Sequence, residues 1–413
     1  YLGCTFAGAR MLKEKGNKLL NFLGEIHGNS SIIGFNKKAS IESAVFLNGL
    51  SAHIAELDDG VISGIVHPGS PIFSALLPVA EKEKVKDSDL ITGIITGYEA
   101  AVRIADAIQP SHKKRGYHAT ATCGTIGAAL GITAMLDFSK SQMKDALSSA
   151  SVSAHGTLKV LEDSSELKPY NVGQAALSGL LSVSMAKAGF KGSDDPLSGN
   201  SGFFSMMADQ YDLTYLKNTG TFGIERVYYK PYAACRYCHP AIEAALKLRF
   251  THSINLEKIK TINVATYHLA VANHDHTTIN GISSAKMSIP YSVAVALMSG
   301  KAGINEFSNE NINNSDISSL TQKISINSDD QLSALFPKKS AAIVEIITDD
   351  GFIYKERVDN PKGEPENPLS DDEIKEKFIT LSTYGNKSNE ESQEIIRIVR
   401  RLENELHKLF SLL

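Results

Sequence analysis

The chain is poor in cysteine, in excess basic charge and in long apolar runs, and each shortage closes off a class of function. Its four cysteines, at positions 4, 123, 235 and 238 of 413, build no disulfide framework. Cys235 and Cys238 form a C-x-x-C, but a zinc site needs further ligands. His239 is the only obvious neighbour and no second C-x-x-C exists, so neither a metal nor any other cofactor is expected. Lys and Arg number 42 against 46 Asp and Glu, a net charge of −4 with no basic run, which argues against a nucleic-acid surface. No apolar run is long enough to span a bilayer and no signal peptide is visible, so no membrane partner is expected and a reducing, cytoplasmic setting fits. No internal repeat or low-complexity tract stands out.

What is present is helical periodicity in the first half and a mixed pattern later. Its 413 residues exceed one ordinary core and imply two domains. Leu90, Ile91, Ile94, Ile95, Tyr98 and Val102 recur at helical spacing. Ala119 to Leu136 is built of Ala, Gly, Thr and Ile, small enough for backbones to approach closely, and reads as a buried central helix. Ser139-x-x-Gln142 is a capping-box signature, and Pro169 suits the first turn of a helix running to Ala188. The Gly/Asn/Ser/Asp run 192–202 reads as a loop. After about residue 225, β-branched residues alternate in part over Lys258 to Val271. Ala342 to Val358 reads as a hairpin turning at Asp350-Gly351. Ser288 to Met298 reads as an apolar helix and Asn305 to Asp330 as loop and short helix. Ser370 caps a helix beginning near Glu373, and Glu390 to Leu413 reads as one amphipathic helix with Ile395, Ile396, Ile398, Val399 and Leu402 inward. The fold class is mainly α: a large all-helical domain of residues 1–224 and 369–413, interrupted by a smaller α+β domain, 225–368.

The most informative stretch is Asn48 to Pro68, which sets His53, Glu56, Asp58, Asp59 and His67 on an apolar, small-residue background. Val45, Phe46, Leu50, Ile54 and Leu57 fit one helix face, and Asp58-Asp59-Gly60 reads as its end with Gly60 as the cap. Carboxylates at a helix C-terminus face the negative end of the dipole. They are either a solvated end touching nothing or acids gathered with imidazole to bind and move protons.

Downstream segments favour the second reading. A-H-x-x-E-L-D-D-G with His67-Pro68-Gly69, then G-Y-H-A-T at 116–120, L-K-P-Y-N-x-G at 167–173, K-P-Y-x-x-C-R-Y-x-H-P-A-I at 230–242, and Pro361 to Ser370 follow one another in order. In that order they resemble the MmgE/PrpD family, which includes 2-methylcitrate dehydratase, cis-aconitate decarboxylase and iminodisuccinate epimerase. Each motif alone is weak; the ordered set spans the chain. The resemblance implies the same two-domain arrangement, the smaller domain acting as a lid, and homodimers. It also implies a helical segment before Tyr1, since Tyr1 to Arg10 reads as the middle of a helix.

A small di- or tricarboxylate substrate needs cations to hold its carboxylates and a base for the proton alpha to one of them. The candidate cations are Lys168, Lys230, Arg115 and Arg236; the candidate proton-transfer groups are His67 and His118. Carried over from the family, His67, His118, Lys168 and Lys230 align with positions lining a decarboxylase-like active site, and Glu56 joins them in the catalytic set. Asp59, Arg115, Tyr117, Cys235, Arg236 and His239 complete the set as substrate-binding residues. His53 and His155 are secondary candidates, and His274 with His276 reads as a polar lid loop. Glu56 stands where many members have Asp, and Cys235 where decarboxylase-like members have His. An altered base set can turn one enolate-like intermediate toward dehydration, epimerisation or decarboxylation. The expectation is a cofactor-free lyase of the 2-methylcitrate dehydratase type, with an epimerase or a decarboxylase as alternatives, and a non-catalytic carboxylate-binding protein as the outsider.

Overall fold

Serine sets many of the helix starts. Ser40 accepts from the Ser43 backbone N–H ahead of the Ile41–Ile54 helix. Ser139 with Gln142, Ser370 with Glu373 and Ser388 with Glu391 form reciprocal capping boxes ahead of Lys140–Ser153, Asp371–Tyr384 and Asn389–Val399. Each box satisfies N–H groups that the first helical turn would otherwise leave unpaired. The structure, a computed structural model, describes residues 1–23, 28–162, 165–217 and 220–413. It is mainly helical with small sheets and falls into two compact units. No helix among the described residues is long and apolar enough to cross a membrane.

The first unit comprises Tyr1–Lys159, Leu167–Tyr228 and Ser370–Leu413. Its centre is the Ala119–Met135 helix, buried along nearly its whole length. Small residues let its neighbours approach backbone to backbone. A Cβ on Gly97, in the Asp87–Ile108 helix, would sit 2.9 Å from the Gly127 carbonyl oxygen, and one on Gly127 would sit 2.7 Å from that of Gly97. Where the Ile41–Ile54 and Lys168–Lys187 helices meet, a Cβ on Gly49 would lie 2.6 Å from Gly173 Cα. That contact brings the helix bearing His53 against the one that begins with Lys168. Ile72, Leu76, Ile104, Ile126 and Ile132 fill the core between helices.

The second unit comprises Val160–Glu166 and Tyr229–Leu369. Its sheet has the order Ile324–Ser328, Ile259–Thr266, Ala342–Thr348, Ile353–Val358; the first pair is parallel and the others antiparallel. The hairpin turns at Gly351, whose φ of 87° is the left-handed conformation glycine adopts most cheaply. Ile262, Val264, Val344 and Ile346 alternate into its core. The His239–Thr251 helix packs on the hairpin strands.

Four segments depart from the sequence pattern. The helix read as ending at Gly60 stops at Ile54. The chain reverses at Glu56, which has φ 56° and donates its N–H to the His53 carbonyl at 3.0 Å. The acids that follow are drawn onto inward-facing donors rather than left at a solvated helix end. Ile324–Ser328, inside a stretch read as loop and short helix, is an edge strand: only Ile324 is buried, so Asn and Ser are tolerated on it. The run from Lys258 to Val271 is a strand only to Thr266 and then a short helix, His268–Val271. The C-terminal segment is two helices, Asn389–Val399 and Leu402–Phe410; Ile395 and Ile398 are buried but Val399 is 46% exposed, so one continuous stripe does not exist.

Candidate active site

The reversal at Glu56 gathers the acids and imidazoles of the first unit into one buried cluster. His53, at the end of its helix, donates Nδ1–H to Asp58 Oδ2 at 2.7 Å, and Ser70 donates to the same oxygen at 3.1 Å. His53 is fully buried, and its Nε2 has no hydrogen-bond partner among the described residues; it lies 3.8 Å from Glu56 Oε1. Asp59 accepts from Tyr98 Oη at 2.6 Å and from the Gly69 N–H at 3.1 Å. Burial pushes the Asp59 carboxyl above its ordinary range, helped by the neighbouring Asp58 charge and opposed by Tyr98.

His67 and His118 flank His53, with ring centroids 5.2 and 6.2 Å from it. His67 Nδ1 lies 2.6 Å from the Asp59 carbonyl oxygen. A carbonyl only accepts, so Nδ1 carries the hydrogen and, in the neutral ring, Nε2 carries the lone pair. His118 shows the opposite arrangement. The Asn171 amide nitrogen is 3.2 Å from both the Thr157 carbonyl and His118 Nδ1. The carbonyl identifies that amide atom as the donor, so His118 Nδ1 accepts and Nε2 bears the hydrogen. Burial holds His118 well below the usual histidine pKa, aided by His53, Lys168 and His67, with Glu56 pulling the other way; it is neutral at neutral pH.

Lys168 opens its helix ahead of Pro169 and pairs with Glu56, a close contact between side chains 12% and 5% exposed. Lone-pair nitrogen, N–H donor, ammonium and carboxylates therefore stand together in one unit: the parts needed to take a proton from carbon and steady the resulting charge.

The other residues singled out from sequence are placed differently. Arg115 reaches Asp209 at 3.1 Å, and Tyr117 stacks on His112, centroids 5.1 Å apart, rather than on the His53 cluster. His155 is exposed, its Nδ1 donating to the Ser153 carbonyl. Lys230, Cys235, Arg236 and His239 belong to the second unit. There Lys230 is fully buried and Cys235 partly so. Arg236 is saturated: Nη2 and Nε donate to Glu364 at 2.5 and 3.1 Å, both terminal nitrogens reach the Pro361 and Lys362 carbonyls, and Nη1 donates to His239 Nδ1 at 3.0 Å. His239 Nε2–H then donates to the Ala234 carbonyl at 3.1 Å. Burial raises the Glu364 carboxyl and Arg236 opposes it. His274, read as part of a polar loop, is buried edge-on to Tyr237 instead. Sequence reasoning passed over Tyr98, Ser70 and Asn171 as site residues. Asn171 carried a signal, three residues after Lys168 in a quoted motif, whereas Tyr98 and Ser70 carried none.

Residues 1–216 match the family model for the MmgE/PrpD N-terminal domain, and residues 232–404 that for the MmgE/PrpD C-terminal domain. The chain is 25% identical over 385 residues to the cis-aconitate decarboxylase-like protein oryM of Aspergillus oryzae, covering 87% of this chain and 79% of that protein. It is 23% identical over 376 residues to the cis-aconitate decarboxylase of Homo sapiens, covering 87% and 76%.

Proposed function

The chain belongs to the MmgE/PrpD family, and from that premise we propose that it is a cofactor-free lyase that removes the proton alpha to a carboxylate of a small di- or tricarboxylate and expels water, as 2-methylcitrate dehydratase does. One observation carries the reading: two rings beside His53, each anchored through Nδ1, are fixed in opposite tautomers. His67 is the base. Its Nε2 takes the alpha proton, and the imidazolium formed keeps Nδ1–H on the Asp59 carbonyl, 3.7 Å from the Asp58 carboxylate. The electron pair passes into an enolate-like carbanion. His118, neutral, offers Nε2–H to the developing oxyanion without adding charge of its own, and the Lys168 ammonium supplies the positive field. The carbon–oxygen bond then breaks, and the hydroxide takes a proton from Lys168 to leave as water. His67 is left protonated and Lys168 neutral, and transfer between them closes the cycle.

Decarboxylation is the second reading, supported by the names of the relatives. The same cluster serves it: loss of carbon dioxide leaves the same kind of carbanion, and protonated His67 returns a proton to carbon. Replacing His118 with Ala tests both readings. Turnover should be abolished while the circular dichroism spectrum stays that of the wild type; turnover at the wild-type rate removes His118 from the mechanism.

A further inference from the structure

The base of the proposed reaction stands at the foot of a tight hairpin. Val61 N–H donates to the Val66 carbonyl at 2.8 Å, Val66 N–H donates back at 3.3 Å, and both side chains are buried. Asp59 and His67 lie just outside this pairing, on opposite arms. The hairpin therefore sets how closely the Asp59 carbonyl approaches His67 Nδ1. That 2.6 Å contact decides where the ring keeps its hydrogen.

The turn that closes the hairpin is strained. Ile65 has φ 48°, in the left-handed region, which crowds a β-branched side chain. Such a conformation persists only where its surroundings over-determine it. Two side chains hold the tip. Gln109, which follows the Asp87–Ile108 helix, donates Nε2–H to the Gly64 carbonyl at 3.2 Å, and Arg226 Nη2 donates to Ser63 Oγ at 2.7 Å. Arg226 Nη1 donates to Asp106 Oδ2 at 2.7 Å, and that carboxylate side chain is 1% exposed. Asp106 Oδ1 has no hydrogen-bond partner among the described residues, so Arg226 is what answers the buried charge. A planar guanidinium presents both donors in one fixed fork and ties the tip to the helix at a set distance. Two residues further on, Tyr228 stands edge-on to the His67 ring, centroids 6.2 Å apart. We infer that Arg226, braced on Asp106, is a positioning residue for His67. Through Ser63 it holds the hairpin closed, and so keeps His67 in the tautomer whose lone pair is on Nε2. The inference rests on the reading of His67 as the base and adds what keeps it one.

Imidazole nitrogens report their own protonation by nitrogen-15 NMR. The full chain, labelled at histidine, is measured without substrate in mildly alkaline buffer, with the His67 signals assigned from the His67→Gln variant. In the wild type Nδ1 should carry the hydrogen and Nε2 the lone pair. Two variants open the clamp without stranding a buried charge. Ser63→Ala keeps the Arg226–Asp106 pair and removes only the tie; Asp106→Leu with Arg226→Met replaces the pair by apolar side chains of similar reach. Both should move the two His67 signals toward the averaged positions of a ring exchanging tautomers, while the His239 signals stay in place. With 2-methylcitrate as substrate, kcat should fall about tenfold in the double variant at a KM within about twofold of the wild type. Wild-type His67 signals in both variants, or in Ser63→Ala alone should the double variant not fold, overturn the inference. So does a wild-type ring with its hydrogen on Nε2. A wild type that leaves 2-methylcitrate unchanged overturns the dehydratase reading instead, and the nitrogen signals still decide the clamp.

Discussion

The histidines of this protein divide by how they are held. In the His53 cluster all three rings are anchored through Nδ1: His53 on Asp58, His67 on the Asp59 carbonyl, His118 on Asn171. His112, in the same unit, and His239, in the second unit, are held at both nitrogens. His112 lies between the Met207 carbonyl and the Thr122 hydroxyl, and His239 between Arg236 and the Ala234 carbonyl. The cations divide the same way. Lys168 has one carboxylate partner among the described residues, while Arg236 reaches a carboxylate, two carbonyls and an imidazole. A ring anchored through Nδ1 has its tautomer decided, and with it whether Nε2 carries a lone pair or a hydrogen. A ring fixed at both is a cross-link. What holds each ring, rather than residue type or burial, distinguishes the His53 cluster from His112 and His239.

The contrast breaks most visibly at His67. Replacing it with Gln should lower kcat by about 10²- to 10⁴-fold, the usual worth of a positioned base, with stability little changed. A variant that loses its fold along with its activity would place His67 with the cross-linking rings. Arg236→Ala should do the reverse and cost about 3–5 kcal/mol of unfolding free energy in urea, because it strands the buried Glu364 charge. Lys168→Met sharpens the comparison. Activity should fall about 10²- to 10³-fold, the scale of losing one transition-state charge donor, while stability should fall by clearly less than in Arg236→Ala. Equal stability losses would mean that counting partners does not distinguish the two cations.

The smallest effect concerns His112. Burial, opposed by its bond to Met207, lowers it to about 4. An unfolded histidine titrates near 6.5, so between pH 6.5 and about 4 the unfolded chain binds a proton that the folded ring refuses. Stability should therefore fall as pH drops through that window, by up to about 3 kcal/mol from this ring, and level off below it. His118, also lowered, acts in the same direction. A His112→Gln variant should show a flatter stability profile between pH 7 and 4 and unchanged kcat. A steeper profile would contradict the assignment of His112 as a neutral cross-link.

Much of this was legible in the sequence because the signals are local. Serine caps, the Pro169 start, the small-residue central helix and the Asp350-Gly351 turn depend on residues within a few positions of one another, and each appears in the structure. The long-range features were not legible. That Asp58 and Asp59 turn inward depends on Ser70, Tyr98 and Gly69, up to 39 residues away, and on a left-handed residue at Glu56 that no neighbour requires. The edge strand Ile324–Ser328 is polar because only one face of its first residue needs burial. Among the site candidates, the motifs singled out His67, His118, Lys168 and Lys230, with Glu56 added to the catalytic set; His67, His118, Lys168 and Glu56 stand together in the first unit, and Lys230 belongs to the second. Arg115, Tyr117, Arg236 and His239 stood beside them as substrate-binding candidates, and a sequence shows the charge of Arg236 but not the Glu364 that answers it 128 residues later.

The most direct test is proton NMR of the purified protein in deuterated water with 2-methylcitrate, citrate, cis-aconitate, iminodisuccinate and the two-carboxylate hydroxy acids malate and 2-methylmalate, run beside the His67→Gln variant. The account requires one of these acids to lose water, or carbon dioxide, with deuterium exchange at the alpha carbon, and requires both signals to vanish in the variant. An unchanged spectrum for every acid, or a His67→Gln protein that reacts at the wild-type rate, would contradict it.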